Sequence, residues 1–185
     1  MARTRYTNTA ISLHWLIALL ILAAFALGWY MVDLKISPAK LQYYSWHKWL
    51  GITVLGFAVL RLLWRLTHTP PPLPATTPRW QLLAAAGGHW ALYLLLFAIP
   101  LSGWAFSSAS GYPVVYLGQF QMPDWVPKDK ALAAQMKELH ELLTTLLMVV
   151  VAVHVAAALK HQFFDRDGLL NRMWFGRNHP VEENT

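Results

Sequence analysis

The 185-residue chain contains no cysteine. That excludes disulfides, iron–sulfur clusters and thiolate-held metals, and says nothing about compartment. Charge is scarce as well: 13% of residues are Asp, Glu, Lys or Arg, against roughly a quarter in a soluble domain. The period-two alternation of transmembrane barrel strands is missing. No basic soluble segment stands out, so the net charge of +6 fits attraction to anionic membrane lipid and not nucleic-acid binding.

In place of these the chain has apolar runs, with 56% hydrophobic residues and a mean hydropathy of +0.36. Windows 10–31, 44–66, 83–106 and 138–161 each reach the roughly 20 apolar residues that cross a bilayer. The expectation is one all-α domain, an integral membrane four-helix bundle. The first run is too long for a signal-peptide core and three more follow it, so it is read as a retained helix. Between spans two and three, the linker 67–82 includes HTPPPLPATTP at 68–78; Pro70, Pro71, Pro72, Pro74 and Pro78 exclude helix there. The segment 107–137, with its Gly, Pro and aromatic residues, is expected to form the larger loop on the opposite side. Tyr30, Tyr43, Tyr44, Trp46 and Trp49 at one interface, and Trp64, Trp80 and Trp90 at the other, fit aromatic belts.

Lys and Arg set the expected orientation. Arg3, Arg5, Arg61, Arg65, Arg79, Lys160, Arg166, Arg172 and Arg177 lie on the side of the termini, and Lys35, Lys40, Lys48, Lys128, Lys130 and Lys137 on the other. The larger group places both termini in the cytoplasm.

Histidines carry the functional signal, because an ionisable group at membrane depth is costly and is kept where it lines a site. His14, His89 and His154 lie inside apolar runs, while His47 and His140 open theirs. His140 and His154 are 14 residues apart, which puts them on one helix face about 21 Å apart. By depth, His14 is level with His154 and His47 with His140. Two imidazoles at each of two depths is a ligand set for two haems b. Zinc would want three or four ligands in one cluster, and a proton-relay transporter would carry mid-span Asp or Glu; neither pattern is present.

Depth leaves one alternative open. His89 is as deep as His14 and could partner His154, or bond a haem propionate or a quinone carbonyl instead. Arg61 and Arg65 could pair with haem propionates or simply anchor the helix. His161, one heptad beyond His154, and Lys160 could meet a quinone head group or a haem, though snorkelling towards lipid phosphate is the plainer reading. His68 and His179 fall in polar segments and receive no role.

These strings together, SLHW at 12–15, His47, RLLWR at 61–65, HWALY at 89–93 with Pro100 and Gly103, HELL at 140–143 and HVAAALKH at 154–161, resemble the bacterial cytochrome b561 family of four-helix dihaem inner-membrane proteins. The resemblance covers essentially the whole chain. It implies that His14 and His154 ligate the iron of a cytoplasmic-side haem b, and that His47 and His140 ligate a periplasmic-side one. It also implies single-electron transfer between a periplasmic donor and the ubiquinone pool, as in superoxide:ubiquinone oxidoreductases. Related subunits instead dock a soluble dehydrogenase or hydrogenase and relay its electrons, and that is the alternative. Lys128, Lys130 and Lys137 near the outer site could attract an anionic donor such as superoxide, against the acidic Asp124, Asp129 and Glu138. A homo-oligomer is permitted.

Overall fold

The computed structural model describes residues 5–74 and 77–175. Arg3 and Arg177, counted for orientation, and His179 lie outside the described residues. Four helices form an antiparallel bundle: α1 (Asn8–Val32), α2 (Pro38–Thr67), α3 (Arg79–Ala109) and α4 (Lys130–Lys160). All four are long and apolar enough to cross a membrane.

Side-chain caps start three of the four helices. Thr7 Oγ1 accepts from Ala10 N, and Ser37 Oγ from Lys40 N with Pro38 opening the first turn. Asp129 Oδ1 accepts from Leu132 N at 2.8 Å. Each is an N-cap that satisfies an otherwise orphaned donor. Because Asp129 caps α4, the polar stretch 130–137 is helical, and the connection from α3 is confined to 110–129.

That connection holds a short antiparallel pair, β1 (Val115–Tyr116) with β2 (Phe120–Gln121), in the register Val115↔Gln121 and Tyr116↔Phe120. It is pinned to α2: Trp49 Nε1 donates to the Val115 carbonyl at 2.6 Å, Lys48 Nζ to that of Tyr112, and Thr53 shares a hydrogen bond with the Tyr116 hydroxyl. Its turn places Leu117 at φ 53° and Gly118 at φ 71°. A leucine in the left-handed region is strained by about 1 kcal/mol. Leu117→Gly relieves that strain but adds chain entropy to the unfolded state, so it is expected to raise thermal stability by at most about 0.5 kcal/mol, read from the melting midpoint in detergent.

At the opposite end the chain after α4 folds back. A π-turn (His161–Asp165) leads through Arg166 at φ 53° to a 3-10 turn (Leu170–Met173). Trp15 Nε1 donates to the Met173 carbonyl at 2.8 Å, and Arg172 Nη1 to that of Pro72. Tyr6 N reaches the Arg172 carbonyl. Both ends of the described chain thus share this tail end, opposite the loop end that carries the hairpin.

Packing is uneven. α1 lies against α2, α2 against α3, and α3 most closely against α4, while α4 makes almost no close backbone approach to α1 or α2. The packed core is a band at mid-height, where Ile17, Val54, Ala58 and Leu96 are buried with Leu20, Ile21, Phe57 and Phe97 around them. From α4, Leu147 is buried halfway between His140 and His154 in sequence, about 10 Å from each along the axis.

Candidate functional site

Above and below this apolar band the bundle presents imidazoles. At the loop end, the rings of His47 and His140 lie 6.2 Å apart, centre to centre, with planes at 82°. Towards the tail end, His14 and His154 stand 6.2 Å apart at 65°, and His89 approaches His154 from α3 at 5.7 Å and 70°. A metal-to-imidazole bond is about 2.0 Å, so two rings bonded on opposite sides of one metal have centres about 6 Å apart.

The loop-end pair is held in a defined tautomer. His47 Nδ1 lies 3.0 Å from the Ala24 carbonyl, and His140 Nδ1 3.0 Å from that of Ile99. A carbonyl only accepts, so each Nδ1 carries the proton and each Nε2 keeps a lone pair for a metal. Ser102, buried on α3, donates to the Ile99 carbonyl and stands 3.2 Å from His140 Nδ1.

A repeat joins the two levels. The pairs His14 and Gly28, His47 and Arg61, His89 and Gly103, and His140 and His154 are each 14 residues apart. Each helix therefore shows one face at both heights, about 21 Å apart. The loop-end level consists of His47 and His140 with Gly28 and Gly103. The tail-end level consists of His14, His89 and His154 with Arg61. The two glycines are absent from any reading centred on histidine, although the same spacing, applied to all four helices, would have found them. Arg61 Nη1 donates to the Ala10 carbonyl at 2.8 Å, one turn before His14, and Arg65 lies 5.7 Å above the Tyr93 ring. Both line a shallow tail-end cavity with Arg5, Tyr6, His68 and Tyr93.

Other sequence candidates fall elsewhere. Lys160 Nζ pairs with Asp165 at 2.5 Å, and His161 Nδ1 meets Asp167 at 2.7 Å and Asp165 at 3.1 Å. Both belong to an ion cluster on the π-turn. His68 stacks on Trp64 at 3.9 Å and closes α2. Of the loop-end lysines, Lys137 pairs with Glu141 and Lys128 lays its aliphatic chain over Gly111.

The chemistry of this donor set suits haem b. Neutral imidazoles with free Nε2 lone pairs are iron ligands. The helices that carry the level pairs, α4 with α1 and α4 with α2, make almost no close backbone approach, and it is their rings that meet. Packed side chains occupy mid-height, between the levels.

Comparison with known proteins agrees. A family model described as prokaryotic cytochrome b561 matches residues 5–176. The chain is 40% identical over 177 residues to "Cytochrome b561 homolog 2" of Escherichia coli K12, covering 91% of this chain and 90% of that one. It is 33% identical over 174 residues to "Probable superoxide oxidase CybB" of Yersinia pestis, covering 91% and 95%. It is 30% identical over 177 residues to "Cytochrome b562" of Cereibacter sphaeroides, covering 91% and 94%. The chain belongs to the prokaryotic cytochrome b561 family, multi-pass proteins of the bacterial inner membrane that bind haem b and carry electrons.

Proposed function

We propose that this protein is a two-haem, one-electron carrier linking a periplasmic donor to the membrane quinone pool. One observation carries the reading: two facing imidazole pairs with the same 6.2 Å ring spacing, at two heights joined by the 14-residue interval of α4. On this reading His47 and His140 hold the loop-end haem, and His14 and His154 the tail-end haem. Bound haem b supplies a one-electron iron couple at each level.

The protein's residues do the rest. With a histidine from each of two helices holding it, the iron would keep no open position for oxygen or substrate, which would suit outer-sphere transfer. Ala24 and Ile99 orient the loop-end rings through their carbonyls. Arg61, held by Ala10, and Arg65, on the Tyr93 ring, balance propionate charge. The basic side of the bundle, which includes the tail end, faces the cytoplasm.

For the donor we propose superoxide, as the name of the Yersinia relative suggests, with Lys128 and Lys130 drawing the anion to the loop end. Two superoxide ions would each release one electron and become dioxygen; two electrons and two protons would convert a quinone to its quinol. The test uses the full chain purified in detergent. We expect a reduced-minus-oxidised spectrum of low-spin haem b, two haems per polypeptide, and quinone reduction driven by superoxide. One haem or none would overturn the two-haem reading. Two haems with no response to superoxide would overturn the donor and favour a relay subunit fed by a dehydrogenase.

A further inference from the structure

The loop-end histidines are each laid into a notch on a helix that supplies no ligand at that height. A β-carbon on Gly103 would stand 3.0 Å from His140 Cε1 and 3.1 Å from its Nδ1. On Gly28 it would stand 3.1 Å from His47 Cε1 and 3.5 Å from Nδ1. The carbonyl that receives each Nδ1–H belongs to the residue four places earlier, Ile99 for His140 and Ala24 for His47. In a helix, residues i−4 and i are stacked on one face. The carbonyl and the bare glycine therefore make one notch, holding the edge of the ring by a hydrogen bond and by the absence of a side chain.

Nothing requires this of glycines in the bundle generally. A β-carbon on Gly51, Gly56, Gly87 or Gly88 would meet nothing within 4 Å. The close fit occurs twice, on two different helices, at one height, and both times against a ring proposed as an iron ligand. The ring cannot retreat freely, because moving away lengthens its bond to the carbonyl.

We propose that Gly28 and Gly103 are positioning residues that set the rotation of the loop-end imidazoles, and through it the haem affinity, ligand field and potential of that level alone. This rests on the two-haem reading above. A methyl at either position would push the ring by a few tenths of an ångström, rotate it, and weaken the Nδ1–H···O=C bond that fixes ligand basicity.

The test compares full-length Gly103→Ala and Gly28→Ala with the parent protein, with Gly87→Ala, an exposed site, as the reference substitution. Haem per chain, low-spin EPR line positions and the two midpoint potentials are measured, and the lines are assigned to levels with His140→Ala and His154→Ala. We expect haem affinity at the loop-end level to fall by about 10- to 100-fold in each glycine variant. The haem that remains there should show displaced EPR lines and a shifted midpoint, while the tail-end signal and Gly87→Ala match the parent. Parental lines, midpoints and stoichiometry in both variants would overturn the proposal, and so would equal loss from both levels. If His140→Ala removes one haem while the glycine variants change nothing, this inference alone fails. If His140→Ala changes nothing, the two-haem reading itself fails.

Discussion

Replacing His154 with Ala is expected to remove the tail-end haem, taking the content from two haems per chain to one, and His14→Ala should remove the same haem. His89→Ala should leave both in place. The three rings are close together, with His154 5.7 Å from His89 and 6.2 Å from His14, so distance does not choose between the partners. Packing does. His89 stands on α3, the helix most closely packed on α4, whereas α1 and α4 make almost no close backbone approach. A porphyrin is a wide plate and needs helices that stand apart; between two helices in ridge-and-groove contact it has no room. Pyridine haemochrome quantification per polypeptide, with the EPR lines of the remaining haem, decides the matter. Loss of a haem from His89→Ala with retention in His14→Ala would reverse the assignment. Since on the proposed assignment α4 supplies one ligand to each level, the double variant His140→Ala/His154→Ala should bind no haem.

The second large effect is electrical. Arg61 occupies the tail-end position of α2 that corresponds, by the 14-residue interval, to His47 at the loop end. It is fixed there by the Ala10 carbonyl, and no Lys or Arg occupies the other level in the same register. A positive charge favours the reduced iron, which carries one more electron. At about 10 Å and an effective dielectric of about 20, a unit charge contributes about 1.7 kcal/mol, on the order of 70 mV for a one-electron couple. Arg61→Gln is therefore expected to lower the tail-end midpoint by some tens of millivolts and leave the loop-end midpoint nearly unchanged, as measured by potentiometric titration. Equal shifts at both levels would mean that the substitution loosened the bundle instead of removing a local charge. On the proposed two-haem reading, Arg61 biases transfer from the loop end towards the tail end.

Much of this was legible in the residues. Continuous apolar runs produce four membrane helices because the backbone has no other partner in lipid. The histidine pairs followed from depth, since antiparallel helices of known rise bring fixed positions level. The parts that escaped depend on contacts between helices. Depth left His89 and His14 equal; the family resemblance implies His14, and the stand-off of α4 from α1 supports that choice. The extension of α4 through 130–137 escaped because that stretch is polar, although Asp129 was available as a cap. The hairpin escaped because its turn contains Leu117 in a backbone region that leucine avoids, in place of an Asn-Gly pair. Gly28 carried no signal in the sequence and Gly103 appeared only within a family string; their meaning comes from the rings laid against them.

The apolar band of Ile17, Val54, Ala58, Leu96 and Leu147 gives the molecule the character of a conductor crossing an insulator. These five buried side chains are all apolar, so the band itself offers no group to carry a compensating proton. The levels are about 21 Å apart in a hydrocarbon layer about 30 Å thick, so each electron moves through roughly two-thirds of the transmembrane voltage. At about 2.3 kcal/mol per charge per 100 mV, an energised membrane with a negative interior opposes inward transfer by on the order of 1.5 kcal/mol per 100 mV. On the proposed two-haem reading, inward transfer slows as the membrane charges and quickens as it discharges.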